Sequence, residues 1–379
     1  MRIPSPLTFS AWGYAIIVLA SACAISSGDK RNGAVASSGN ATSPRGVHTA
    51  TLLNNGKVLL AGGLLKAEGD EISSSSAELY DPATGRFIPT GKMSAERAGH
   101  TATLLKSGDV LVTGGGTASA EIYQVARGQF IPAGLMSTNR ERHAATLLKD
   151  GKVLITGGSN RNPIESAEFY DPLTNSFTLA GEMSSPRFAH ASTLLPDGNV
   201  LLTGGASNWR TVLATAEVFD SVNKTFSLVG NMTVSRHKHA AMLMPNGRVL
   251  IAGGSSSAPD WEGRHRSAEV YNPAKASFSP TGEMKESRFK IPSAIALTSN
   301  GRVLICGGAE SIEVYDPGAG VFGTAYGKLS DSLFYPTATT LLDGRVLIVG
   351  GYDDDLGVSA ATWVYTPPPK GNSVARLQR

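Results

Sequence analysis

Histidines follow arginines at a fixed spacing in this chain. In five places an arginine is followed three residues later by a histidine, and these are His48, His100, His143, His190 and His239. Imidazole is a frequent zinc ligand, so the pattern raises the possibility of a metal ring. A zinc ion, however, needs its nitrogen ligands within about 2.1 Å, and positions repeated by symmetry are spread apart. We therefore expect these histidines to be structural, and we predict no metal and no other cofactor.

Arginine and glutamate form two further series with the same repeat. The arginines are Arg45, Arg97, Arg140, Arg187, Arg236 and Arg288, and Leu333 takes the next place. The glutamates are Glu78, Glu121, Glu168, Glu217, Glu269 and Glu313, and Trp363 takes the last place. Buried carboxylates need partners, and the arginines are available in equal number. We expect a repeated ion-pair network; a catalytic glutamate is the alternative.

Tryptophan and basic residues concentrate in two neighbouring copies of this repeat. Trp stacks on sugar faces and Arg binds carboxylates with two parallel hydrogen bonds. This combination favours an acidic sugar or a peptide carboxylate as ligand; solvated loop charges are the alternative. The predicted ligand-binding residues are Trp209, Arg210, Arg236, His237, Trp261, Arg264, His265 and Arg288.

The elements that position these residues are copies of one unit. An Asn-Gly, Asp-Gly or similar turn leads into a Val/Leu/Ile run that ends in Gly-Gly, and this happens seven times. We number these copies repeats 1 to 7 by their glycine pairs, which begin at Gly62, Gly114, Gly157, Gly204, Gly253, Gly307 and Gly350. Such turns favour hairpins, and apolar runs fit strands that are buried on both faces. Four strands cannot bury two faces alone, so the copies must stack.

The Gly-Gly pair after an apolar strand, the "AELYDP" type of strand and the aromatic strand after it resemble kelch repeats. This resemblance implies an all-β fold, a seven-bladed kelch-type β-propeller with four antiparallel strands per blade, over residues 34–366. Phe87 and its equivalents stand where kelch repeats usually have Trp. The resemblance also implies a ligand site at the face where the loops after Gly-Gly lie. Those loops differ most between the repeats.

The last repeat lacks a fourth strand of its own. Residues 367–379, "PPPKGNSVARLQR", have no apolar alternation, so we predict a C-terminal tail there. The segment "VASSGNATSPR" places Val35, Gly39, Ala41 and Arg45 at the offsets of the aromatic, Gly, Met and Arg in other repeats. We predict that residues near 34–39 form the outer strand of the last blade, which would close the ring.

The N-terminus carries features of export. An apolar run, residues 11–22, is too short to span a bilayer comfortably and ends in small residues before Cys23. It resembles the signal of bacterial lipoproteins, which implies a signal peptide at 1–22, a lipidated Cys23 and a tether at 23–33. The location would then be the bacterial outer membrane or cell surface. Ordinary cleavage after Ala22, giving a periplasmic or secreted protein, is the alternative.

Composition and motifs narrow the function. The net charge is +3 and no run of five Lys or Arg occurs, so nucleic acid binding is not expected. Copper oxidases that resemble galactose oxidase need a Tyr-Cys cross-link and a Tyr-His pair. The chain has no Tyr-His dipeptide, and its only cysteine besides Cys23 is Cys306. We predict a monomeric, non-catalytic module that binds a glycan or protein ligand; a kelch-type sugar mutarotase or epimerase is the alternative.

Overall fold

The computed structural model describes residues 29–66, 71–257 and 262–369. Within these residues the chain is almost entirely β-strand, and its one helical element is a 3-10 turn at Pro273–Lys275. None of the described helical segments has the length and apolar character needed to cross a membrane. The predicted signal peptide and Cys23 lie outside the described residues.

The strands follow one another in chain order with short turns. Those up to the end of repeat 2 are β1 (Asp29–Asn40), β2 (Thr49–Leu52), β3 (Val58–Ala61), β4 (Leu64–Lys66), β5 (Ile72–Ser73), β6 (Ala77–Asp81), β7 (Arg86–Pro89), β8 (His100–Leu104), β9 (Val110–Gly114), β10 (Thr117–Gln124) and β11 (Gln129–Arg140). Those of repeats 3 and 4 are β12 (Ala144–Leu147), β13 (Val153–Thr156), β14 (Ser159–Asn160), β15 (Asn162–Pro163), β16 (Ser166–Asp171), β17 (Ser176–Glu182), β18 (Ala191–Leu194), β19 (Val200–Thr203), β20 (Ala216–Asp220) and β21 (Thr225–Leu228). Those of repeats 5 to 7 are β22 (Ala240–Leu243), β23 (Val249–Ala252), β24 (Ala268–Asn272), β25 (Ser277–Pro280), β26 (Ile295–Leu297), β27 (Val303–Ile305), β28 (Ser311–Asp316), β29 (Val321–Lys328), β30 (Thr337–Thr340), β31 (Val346–Val349) and β32 (Ala361–Thr366).

Repeats 1 to 5 each form a separate four-stranded antiparallel sheet, and these sheets are blades of a β-propeller. The second strand of every blade is fully buried, as its Val/Leu/Ile run predicts. The turns on either side of this strand reverse the chain direction, as antiparallel pairing requires. Repeats 6 and 7 share one eight-stranded sheet, in the order β26-β27-β28-β29-β1-β32-β31-β30.

The glycine pairs join each repeat to the next. The amide of the second glycine donates a hydrogen bond of 2.7–2.9 Å to a carbonyl of the following repeat. The donor and acceptor pairs are Gly63–Arg97, Gly115–Arg140, Gly158–Arg187, Gly205–Arg236, Gly254–Arg288, Gly308–Leu333 and Gly351–Arg45. The first glycine has no room for a side chain: a Cβ on Gly62 would lie 2.6 Å from the Arg97 oxygen and 2.7 Å from His100. This close approach explains why both positions are glycine.

The N-terminal strand completes the last repeat, as the sequence register predicts. β1 pairs antiparallel with β32 from Ala34↔Thr366 to Asn40↔Ala361. Val35 pairs with Tyr365, just as Phe87 pairs with Tyr80 in repeat 1, so Val35 occupies the aromatic position.

The strand also extends beyond its predicted start. It begins at Asp29, so residues 29–33, which were predicted as part of a tether, belong to the strand. This portion pairs in parallel with β29 of repeat 6, with Asp29 opposite Ala325. The sequence pattern did not indicate this pairing, because parallel partners leave no hairpin signal between them.

The hydrophobic core lies between neighbouring sheets. In repeats 1 to 6, the aromatic residue of the fourth strand packs on an aromatic residue of the third, with ring centroids 4.8–5.0 Å apart. Val35 and Ala41, at the equivalent Phe and Met positions, are also buried. One end of the sheets carries the glycine pairs and the entry into each first strand, and we call it the Gly-Gly face.

Candidate functional site

Six buried arginine–glutamate pairs fix the Gly-Gly face, as the two series predict. In every pair the arginine also donates a hydrogen bond of 2.6–2.9 Å to the carbonyl of the first glycine of its repeat. The N–O distance is 2.7–3.1 Å in the five pairs Arg45–Glu78, Arg97–Glu121, Arg140–Glu168, Arg236–Glu269 and Arg288–Glu313. The sixth pair is Arg187–Glu217. Each glutamate also accepts a backbone amide hydrogen bond. The network is structural, because every pair is buried and each member makes further hydrogen bonds to the backbone; among these arginine atoms, only the buried Arg187 Nε has no hydrogen-bond partner within the described residues.

Two predicted ligand-binding residues belong to this network. Arg236 and Arg288 are fully buried, with no exposed surface, and their donors face Glu269 and Glu313. Neither guanidinium reaches the surface of the Gly-Gly face. The prediction was wrong for these two residues, because the sequence shows that a residue is basic but not which way its side chain turns.

The five repeated histidines are buried, and each contacts a threonine hydroxyl. The Nε2 atom of each lies 2.9–3.1 Å from a threonine hydroxyl of another strand. Burial, followed by the charge of the neighbouring arginine, lowers the pKa of His48, His100, His143 and His239 to about 3. Among the described residues no three His, Cys, Asp or Glu side chains are grouped so that they could hold a metal ion.

The first strands of the repeats surround a central channel. Each contacts the next in a closed order, β2, β8, β12, β18, β22, β26 and β30, and β30 contacts β2. A cavity of about 140 Å³ lies inside and is lined by residues of every repeat, which places it on the axis. A wider cavity of about 520 Å³ opens at the Gly-Gly face and shares Val47, Arg142, Lys238 and Tyr335 with it. We call the wider cavity the funnel.

One residue of each repeat stands at the channel mouth, two positions after the arginine of the series. These residues, which we call the crown, are Val47, Gly99, Arg142, Ala189, Lys238, Lys290 and Tyr335. All have φ between 50° and 64°. Their backbones are tied by hydrogen bonds of 2.8–3.2 Å, such as Arg142 N–H to the Gly99 carbonyl and Tyr335 N–H to the Lys290 carbonyl.

The crown keeps side chains where glycine would be less strained. A left-handed backbone costs an ordinary L-residue roughly 1–2 kcal/mol, and Gly99 shows that glycine is compatible with the position. Arg142, Lys238, Lys290 and Tyr335 nevertheless occupy it and line the funnel. Strained residues that persist at the mouth of a cavity point to a ligand site.

An aromatic platform adjoins the crown at repeats 6 and 7. Phe289, Phe334 and Tyr352 are buried and pack edge to face, with successive centroids 5.0 and 5.8 Å apart. The Lys290 ammonium lies 5.1–5.4 Å from the three ring centroids. Tyr352 and Lys290 also line the funnel, so the platform adjoins it.

Arg264 rests on the same platform. Its guanidinium carbon is 4.2 Å from the Phe289 centroid and 5.5 Å from that of Phe334. Its Nε is buried and has no hydrogen-bond partner among the described residues. The guanidinium is half-buried against two rings, and no carboxylate of the described chain uses its donors. It can therefore bind an anion.

The other predicted site residues lie in separate places. Trp209 is 49% exposed; its ring packs on Phe188 at 4.8 Å and its Nε1 donates to the Arg161 carbonyl. Arg210, beside it, is exposed. Trp209 therefore joins the loops of repeats 3 and 4, whereas Arg264 contacts repeats 6 and 7.

The two histidines of repeat 5 that were predicted as site residues, His237 and His265, each place Nε2 near a backbone carbonyl. His237 is buried, with Nε2 3.2 Å from the Ser257 carbonyl, and His265 is half-buried, with Nε2 3.1 Å from the Ser235 carbonyl. Trp261, like Cys23, lies outside the described residues.

Several residues of the funnel were not singled out from the sequence. Arg142, Lys238, Lys290, Tyr335 and Tyr352 are not among the site residues predicted from the sequence. A signal was available: the position two residues after the repeated arginine varies from Val to Lys to Tyr while its surroundings repeat. A repeated register with variable chemistry indicates a presented side chain.

Comparisons with known proteins agree with this geometry. The family model of the kelch motif matches residues 142–184, within repeat 3. The fold is similar to a solved structure described as a novel fungal alcohol oxidase with catalytic diversity among the AA5 family, in complex with copper. The TM-score is 0.73 at 17% identity, over 89% of this chain and 76% of that one. No curated protein matches the chain. The chain therefore contains a kelch motif, and its β-propeller fold is similar to that of this AA5 alcohol oxidase.

Proposed function

We propose that this chain is an exported, lipid-anchored, seven-bladed kelch propeller that acts as a non-catalytic binding module for an acidic ligand. The ligand is an acidic carbohydrate or a peptide carboxylate, held in the funnel of the Gly-Gly face. The observation that carries this proposal is the Arg264 guanidinium, stacked on Phe289 at 4.2 Å, because Lys290, which lines the funnel, lies 5.1 Å from the same ring.

The number of blades rests on ring closure. β1 divides the eight-stranded sheet into two groups of four strands when it is counted with β32. The repeated glycine amide bonds proceed from one repeat to the next, and Gly351 returns to Arg45. Seven equivalent interfaces of this kind support seven blades.

The chemistry of the funnel supports an anionic ligand. Lys238, Lys290 and Arg142 line it, and Tyr335 and Tyr352 offer rings on which an apolar or sugar face can pack. Its volume of about 520 Å³ matches a small-molecule site. Arg–carboxylate bonds formed on a half-desolvated platform are stronger than those in open solvent.

The residues do not support copper radical oxidation by this chain. Cys306, the candidate for a Tyr-Cys cross-link, is fully buried at the end of β27, with its thiol 3.6 Å from the Ala294 carbonyl. Burial raises the pKa of this thiol to about 12. Together with the lack of a Tyr-His dipeptide in the sequence, this makes binding the better proposal.

Calorimetric titration with a matched pair of sugars tests the binding proposal. Galacturonate and galactose differ only in the carboxylate, so we expect galacturonate to bind and galactose to bind at least about tenfold more weakly. Arg264→Ala should remove this preference. Arg266→Ala, an exposed arginine of the same loop that pairs with Glu283, is the control. Equal binding of the two sugars to the wild type, with no other acidic glycan bound on an array, would contradict the proposal.

Two further measurements address the alternatives. Exchange of anomeric forms of a bound sugar, followed by NMR, would show mutarotase activity and replace the non-catalytic assignment. Mass spectrometry of the mature N-terminus after expression with export machinery should find a lipid on Cys23, and Cys23→Ala should release the protein. An unmodified Cys23 would contradict the anchor and leave the ligand proposal intact.

A further inference from the structure

The walls of the funnel carry opposite charges on different sides. Glu71 of repeat 1 and Glu141 of repeat 3 line it, and so do Lys238 of repeat 5 and Lys290 of repeat 6. The closed order of the first strands places repeats 1 to 3 across the axis from repeats 5 and 6. A side with two glutamates, which also carries Arg142 of repeat 3, therefore faces a side with two lysines across one cavity of about 520 Å³.

The two carboxylates differ from the other glutamates of the repeats in their surroundings. Within residues 29–66, 71–257 and 262–369, neither Glu71 nor Glu141 forms an ion pair; the Glu141 carboxylate accepts only a long hydrogen bond, 3.3 Å, from the Ser159 hydroxyl. The six glutamates of the repeated network, by contrast, are all paired with arginine. Glu71 and Glu141 therefore differ in kind from the structural glutamates of this fold.

A simple anion would complement only half of this cavity. Its carboxylate would meet Lys238 and Lys290, but its other end would approach Glu71 and Glu141, where negative or apolar groups leave the carboxylates unsatisfied. An ammonium group at that end supplies donors to both glutamates. The cavity thus complements a molecule that carries both charges.

We propose that the funnel selects a zwitterion, whose carboxylate binds at the Lys238 and Lys290 side and whose ammonium binds at the Glu141 and Glu71 side. This inference rests on the proposed acidic-ligand site and narrows it. Two sources share the chemistry: a short peptide with free termini, and an amino sugar acid. Tyr335 and Tyr352 pack against the middle of the molecule in either case.

Titration calorimetry at pH 7 with two matched pairs tests the ammonium. The pairs are trialanine with N-acetyltrialanine, and muramic acid with N-acetylmuramic acid; acetylation removes the positive charge and keeps the carboxylate. We expect the free-amine member of one pair to bind about tenfold tighter than its acetylated partner. The pair that shows the difference identifies the source as peptide or sugar.

Variants of the two glutamates test whether they bind the ammonium group. Glu141→Gln should bring the two members of the pair to within about threefold of each other, without weakening the acetylated member. Glu71→Gln should act in the same direction. Glu165→Gln, an exposed glutamate of repeat 3 that does not line the funnel, is the control.

The outcomes separate this inference from the proposed function. Acetylated and free forms that bind equally well would overturn the zwitterion and leave the acidic-ligand site standing. A free-amine preference that persists in both Glu141→Gln and Glu71→Gln would also overturn it, because the ammonium would then bind elsewhere. Failure of every acid to bind, galacturonate included, would overturn the proposed function itself.

Discussion

The Tyr365 hydroxyl donates a hydrogen bond of 2.7 Å to the carbonyl of Asn32, and the Tyr365 ring occupies the space that a side chain at position 33 would need. Gly33 has a φ of 87°. At this residue β1 passes from its partner β32 in repeat 7 to its partner β29 in repeat 6. One contact therefore holds the N-terminal strand across two repeats.

Gly33→Ala should destabilise the protein more than Gly39→Ala. Both glycines lie in β1 with positive φ, 87° and 95°, so both substitutions incur backbone strain of roughly 1–2 kcal/mol. Only Gly33 meets a ring, which adds about 1–3 kcal/mol of overpacking, whereas nothing lies within 4 Å of a Cβ at Gly39. Urea unfolding of the two variants compares them directly. Equal losses would show that the closure over Tyr365 contributes nothing specific.

Removing one member of a buried ion pair should destabilise the protein more than replacing both members together. Arg140→Leu leaves Glu168 buried without its cation, and we expect a loss of about 3–5 kcal/mol in the free energy of unfolding. Repeat 7 has Leu333 and Trp363 at these two positions, both buried. The double variant Arg140→Leu/Glu168→Trp copies that arrangement and should recover part of the loss. Additive losses in a double-mutant cycle would contradict this interpretation.

Stability should fall as the pH decreases from 7.5 to 5. Burial lowers the pKa of His48, His100, His143 and His239 from 6.5 to about 3, so the unfolded chain binds more protons than the folded one below pH 6.5. The stability contributed by each neutral histidine is therefore complete above 6.5 and declines toward 3, by up to about 1.4 kcal/mol per pH unit.

Thermal unfolding at pH 7.5, 6 and 5 measures this slope. His239→Ile, which copies Ile291 at the same position of repeat 6, should flatten it. An unchanged slope in that variant would assign the acid sensitivity to other groups.

Replacing a strained crown residue with glycine should stabilise the fold, and at Arg142 it should also weaken ligand binding. Ala189→Gly relieves a φ of 52° and should raise the free energy of unfolding by up to about 1 kcal/mol, after the entropy that glycine loses. Arg142→Gly should show a similar relief, while galacturonate binding weakens because a cation of the funnel is lost. Ala98→Gly, next to the crown, is the control and should not stabilise. Chemical unfolding of these variants tests the gain in stability, and calorimetry tests the loss of galacturonate binding.

Much of the fold could be predicted because the same motifs recur in the same order in every repeat, although the loops between them differ in length. The Gly-Gly pair, the Glu series and the Arg series fix strand order, and the offset of Val35, Gly39 and Arg45 places the N-terminal strand beside β32. The start of β1 at Asp29 could not be predicted, since its first residues pair in parallel with β29, far away in the chain.

The site was predicted less completely than the fold. Arg264 was predicted as a binding residue and its guanidinium lies on an aromatic platform, but Phe289 and Phe334, which form part of that platform, were not among the predicted residues. Arg236 and Arg288 have the same residue type as Arg264 but face Glu269 and Glu313 in the interior. Residue type alone does not distinguish a buried partner of a glutamate from a cation at a cavity.

The sequence by itself determined the repeating β unit, its turns and the buried pairing of arginine with glutamate, because each depends on short-range spacing that recurs in register. Only the tertiary structure decided which side chains meet at the axis. Glu71, Glu141, Lys238 and Lys290 are far apart in the chain and become neighbours of one funnel because stacked sheets curve around a common channel. That curvature arises from packing between sheets, which no local pattern encodes.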